Sequence, residues 1–100
     1  DKPAAACLAS RVPYGTEVTI ALLGRLDRAE AALRRLGFAD LRVRHYGDTA
    51  RLELPIDTLP VALQHRQAIV DAVKAAGYHY VTLDLEGLRS GNLNHAVADR

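Results

Sequence analysis

Leu22, Leu26, Ala29, Leu33 and Leu36 recur every three or four residues, the spacing that gathers side chains on one face of an α-helix. Thr16 or Thr19 can cap this helix and Gly37 stops it. The period then shortens to two. Leu41–Tyr46 and Ala50–Leu54 alternate apolar and polar positions around Gly47-Asp48-Thr49, which predicts two strands joined by a hairpin. Pro55 ends the second strand. Helical spacing returns over Leu59–Ala76, with Ile69, Val70 and Val73 inward and Gly77 as the stop, and Tyr78–Leu85 reads as a third strand. Residues 1–15 read as a loop or short extended segment closed by Val12-Pro13-Tyr14-Gly15. The tail from Gly87 to Arg100 reads as a short helix or a frayed end.

Helix, hairpin, helix, strand is an α+β arrangement. The third strand cannot form a hairpin with the second across a helix, so a split unit is expected. That places it beside the first strand, in an antiparallel sheet of order two-one-three, with both helices on one face. Leu41, Val43, Leu52, Leu54, Val81, Leu83 and Leu85 then point to the helices. The opposite face collects Arg42, Arg44, Tyr46, Arg51, Glu53, Tyr80, Thr82, Asp84 and Glu86. It is a charged platform, with Arg42 and Arg44 expected at its centre.

Composition narrows the function classes. One hundred residues make one domain with a modest core. The net charge is +1, so nothing drives the chain toward nucleic acid or an anionic membrane. No apolar run approaches the roughly 18 residues of a membrane span. The single cysteine rules out an intrachain disulfide and fits a cytoplasmic setting. The chain begins with Asp1 and holds no Met, so a fragment of a longer protein is expected.

Two features could carry chemistry. Cys7 lies between an alanine run, Ala4-Ala5-Ala6, and Ser10-Arg11; small residues permit close approach, and an arginine stabilises a thiolate. A lone cysteine can equally be a small buried hydrophobe. Arg42 and Arg44 share a strand face about 7 Å apart, close enough to hold one phosphate or carboxylate between them. Cross-strand acids could instead neutralise them. Glu30, at the edge of the first helix's apolar arc, is either a solvated partner of Arg34 or a half-buried carboxylate aimed at the platform. His45 follows the inward alternation as a core-edge histidine. The four histidines lack zinc-ligand spacing.

Four stretches, KPAAACLASRVPYG (2–15), AEAALRRLGF (29–38), LRVRHYGDTARLELP (41–55) and YVTLDLEGLRSGNLN (80–94), together resemble the LarE family, in order and in spacing. These are ATP-dependent sacrificial sulfur transferases of the PP-loop pyrophosphatase superfamily. The resemblance implies the C-terminal domain of such an enzyme, with residues 1–15 as an active-site segment. An N-terminal PP-loop domain would bind ATP and magnesium and adenylate a substrate carboxylate. Cys7 would donate its sulfur and become dehydroalanine. Ser10 and Arg11 would lie beside it, Arg42 and Arg44 would hold the phosphate of a pyridinium biscarboxylic acid mononucleotide, and Glu30 and Glu53 could take a divalent metal near the cysteine. One cysteine implies no iron–sulfur cluster. The product would mature into the nickel-pincer cofactor of lactate racemase. The fragment alone should be inactive, the full protein is expected to be a homo-oligomer, and neither nucleic acid nor membrane is implied as a partner. The alternative is a non-catalytic oligomerisation or substrate-docking domain of another PP-loop enzyme, a ligase or amidotransferase relative.

Overall fold

A computed structural model describes residues 11–88. Helix α1 (Ile20–Arg35) begins where the Thr19 hydroxyl accepts the Leu22 N–H at 3.1 Å. It ends at Gly37, whose φ of 108° suits a residue without a Cβ. Strands β1 (Arg42–Tyr46) and β2 (Thr49–Glu53) form the predicted antiparallel hairpin.

The second helical stretch is divided. A 3₁₀ turn (Ile56–Thr58) leads into α2 (Leu59–Gln64), and α3 (Arg66–Ala76) follows after His65, whose φ of −112° and ψ of 28° leave the helical region. Among the described residues, three helices therefore stand where two were expected.

Strand β3 (Tyr80–Leu83) pairs with β2, and the two are parallel. The sheet is mixed and its order is β1-β2-β3, which corrects the antiparallel two-one-three arrangement. The reason is the crossover. The chain between β2 and β3 includes a helix long enough to return the strand to the same end of the sheet, the condition for a parallel neighbour. Leu52 O accepts Asp84 N–H and Leu54 O accepts Leu88 N–H, at 2.9 and 2.8 Å, extending the pairing past β3.

The α+β class and the division of the sheet's faces hold. Val43, Ala50 and Leu52 are buried with Leu26, Ala29, Leu33, Ile69 and Val73 in one core, with both long helices covering one face. Val81 and Leu83 are only partly buried against it. Leu85 is exposed, because the strand ends at Leu83 before the alternation can carry it inward. No helix among the described residues is long and apolar enough to cross a membrane.

Candidate functional site

The open face of the sheet is read most simply as cross-strand rows. Tyr46, Thr49 and Tyr80 form one row; Arg44, Arg51 and Thr82 form the next; Arg42 stands opposite Glu53 in the third. The central strand is β2, so Arg51 and Glu53 occupy the middle of the platform and Arg42 and Arg44 lie on an outer strand. Glu53 is 2% exposed. One oxygen, Oε2, lies 3.1 Å from Arg44 Nε and 3.2 Å from Arg51 Nη2. Arg51 Nε lies 3.7 Å from the Asp84 carboxylate, and its guanidinium carbon stands 5.1 Å from the centre of the Tyr46 ring.

Acids therefore neutralise part of the platform. They do not neutralise Arg42. Its register partner Glu53 is committed to Arg44 and Arg51, and the Arg42 side chain enters no ion pair or hydrogen bond among the described residues.

Glu30 departs from the solvated alternative. It is 3% exposed and reaches the outer edge of β1, not the platform. Its Oε2 accepts the Val43 N–H at 3.0 Å and lies 2.7 Å from Nε of buried Arg11. Arg34 completes the cluster at 3.8 Å. Arg11 O also accepts the His45 N–H at 2.8 Å. Residue 11 is thus tied to β1 through its backbone and to α1 through its side chain. Cys7 and Ser10 lie outside the described residues.

Glu30 and Glu53 sit in separate clusters, each lined by guanidinium groups that would repel a dication. Among the described residues no three His, Cys, Asp or Glu side chains converge on a possible metal position. These residues alone do not fit a divalent metal.

Sequence reasoning missed a buried polar cluster behind β1. His45 Nδ1 lies 2.8 Å from the Tyr78 hydroxyl, and the Arg25 guanidinium carbon stands 5.3 Å from the Tyr78 ring centre. Burial, and then the Arg25 charge, lower the His45 pKa below 6.5, with Asp48 opposing. Burial also raises the Tyr78 phenol to about 12. The inward alternation of His45 was a visible signal, but Tyr78 and Arg25 come from distant segments. An apolar cleft of about 200 Å³, lined by Leu52, Ile69, Val81 and Leu83 among others, lies on the helix side. It brings in none of the predicted site residues.

The fold and site define a small α+β domain whose sheet presents an arginine-rich face. Over 97 residues the chain is 40% identical to the pyridinium-3,5-bisthiocarboxylic acid mononucleotide synthase of Lactiplantibacillus plantarum, covering 97% of this chain and 35% of that protein. It is also 46% identical over 99 residues to an uncharacterized protein of Synechocystis sp., covering 97% of this chain and 37% of that protein. An uncharacterized protein of Methanocaldococcus jannaschii is 30% identical over 88 residues, covering 88% of this chain and 34% of its own length. No protein-family model matches the chain. The chain therefore matches a LarE-family domain and spans about a third of the length of its curated relatives.

Proposed function

We propose that this domain carries the sulfur-donating and phosphate-holding part of a LarE-type synthase, as the C-terminal domain of a longer protein. The observation that carries this is the match along almost the whole chain to a named mononucleotide synthase. The open guanidinium of Arg42 agrees with it.

In this reading an N-terminal PP-loop domain uses ATP and magnesium to adenylate a carboxylate of a pyridinium biscarboxylic acid mononucleotide. The Cys7 thiolate attacks the activated carbonyl and AMP leaves, giving a thioester. A base then removes the α-proton of Cys7 and the Cβ–S bond breaks, with the electron pair leaving on sulfur. The product takes the thiocarboxylate, and the protein keeps dehydroalanine. Arg42 and Arg44 hold the phosphate by charge-assisted hydrogen bonds. Arg11, fixed by Glu30, sets where the Cys7 segment leaves β1.

Intact mass spectrometry of the full-length protein after turnover with ATP and magnesium tests this. One equivalent of product should accompany loss of the elements of hydrogen sulfide from Cys7. Accumulating thiocarboxylate with an unaltered Cys7 would refute the sacrificial mechanism. Arg42→Ala should weaken mononucleotide binding several-fold or more without altering the fold; unchanged affinity in a calorimetric titration would return the face to a structural role.

A further inference from the structure

Arg44 and Arg51 are directly opposite each other on β1 and β2, on the face that also bears Arg42. Like charges in facing positions destabilise a sheet. This pair persists because a single buried Glu53 oxygen lies between the two guanidinium groups. One carboxylate charge cannot neutralise both, and Glu53 and Asp84, the acids ion-paired with this row, carry two charges against the three of Arg42, Arg44 and Arg51.

Arg51 is held more firmly than a surface arginine. Glu53 takes a hydrogen bond from Nη2 at 3.2 Å, and the Tyr46 ring lies alongside. Asp84, at 3.7 Å from Nε, is beyond hydrogen-bonding distance. That Nε is shielded from solvent and has no hydrogen-bond partner among the described residues. A planar group with five donors and one hydrogen bond made, fixed in orientation, loses little entropy on meeting an oxyanion.

We infer that Arg51 is a third guanidinium of the anion site and selects the phosphorylated mononucleotide over its dephosphorylated nucleoside. The inference rests on the proposed function and adds a residue to it. A phosphate monoester dianion fits because three cations on two adjacent strands face one region, with Glu53 keeping two of them side by side. Glu53 is then a positioning residue. It fixes the arginines and does not itself meet the anion.

The test is calorimetric titration of the full-length protein with pyridinium biscarboxylic acid mononucleotide and, separately, with the corresponding nucleoside. Arg51→Ala should weaken mononucleotide binding roughly ten- to a hundredfold, the scale of one charge-assisted hydrogen-bonding group, and leave nucleoside binding unchanged. Arg51→Lys should recover part of the loss. Where thermal melting shows Arg51→Ala unfolded, Arg51→Gln takes its place, keeping a polar stem over Tyr46. Equal losses for both ligands would mean a structural role and overturn the inference. If Arg42→Ala loses phosphate selectivity and Arg51→Ala does not, Arg51 is excluded while the proposed function stands. If neither variant loses affinity, the whole platform assignment falls.

Discussion

Breaking the buried ion pair between Arg11 and Glu30 should be costly, because it leaves one charge uncompensated, and a double-mutant cycle measures the coupling between them. The two side chains are 8% and 4% exposed and 2.7 Å apart, so solvent screens them little. Truncating Glu30→Ala removes the carboxylate from a buried guanidinium, a change that costs about 3–5 kcal/mol. It also strips the Val43 N–H of its acceptor, a loss of about 1–3 kcal/mol that partly overlaps the first. Arg11→Ala should cost less, because Glu30 keeps Val43 and Arg34. Glu30→Gln separates charge from hydrogen bonding: it can still accept from Val43, so its deficit reports the ionic contribution. Urea unfolding followed by circular dichroism gives each free energy. The expected coupling is about 2 kcal/mol or more. At roughly 4–8 °C per kcal/mol for a domain of this size, Glu30→Ala should melt at least about 12 °C lower. Additivity within about 0.5 kcal/mol, or a Glu30→Gln variant as stable as the parent, would refute the reasoning.

Other consequences are simpler to measure. The lowered pKa of His45 means that the fold favours neutral imidazole. Its contribution to stability should be complete above about pH 6.5 and lost as pH falls through the lower folded value. Urea midpoints between about pH 7 and pH 5 should decline with a steeper slope than in His45→Gln; parallel slopes would remove His45 as the cause. Gly87 has φ +83°, and a Cβ there would lie 2.6 Å from Ile56 Cγ1 and 3.1 Å from Leu54 O. Gly87→Ala should therefore destabilise by about 1–3 kcal/mol, more than the entropic gain of up to about 1 kcal/mol, and an unchanged melting temperature would contradict the tight turn.

Much of the fold was legible because alternation and helical spacing are local signals. They located the hairpin and assigned Arg42, Arg44, Arg51 and Glu53 to one face. They could not say which strand is central, since a sheet's order depends on how the crossover returns and not on any strand's own pattern. That one error placed Arg42 and Arg44 at the centre of the platform, where the structure has Arg51 and Glu53. Glu30 was misjudged for a related reason. Its position on α1 suggested a partner at Arg34, one turn away, and that contact exists at 3.8 Å. The closer partners, Arg11 and the Val43 N–H, are brought in by tertiary packing. The LarE-family resemblance was available from four ordered stretches because sequence identity does not depend on topology.

Strand β1 connects the two halves of the proposed chemistry. Its outer edge donates His45 N–H to Arg11 and Val43 N–H to Glu30, fixing residue 11 four positions after Cys7. Its open face carries Arg42 and Arg44. Side chains alternate across a strand, so His45 is buried beside Tyr78 while Arg44 faces outward toward Glu53. One five-residue element therefore sets both where residue 11 is held and the position of the guanidinium groups proposed to bind the anion. Disturbing Glu30 should displace the cysteine relative to a bound phosphate without touching that phosphate. A Glu30→Gln protein that still folds should accordingly retain mononucleotide affinity and lose sulfur transfer. Disturbing Glu53 should do the reverse, weakening mononucleotide binding first. If both variants lost binding and transfer in proportion, β1 would not be acting as the common frame.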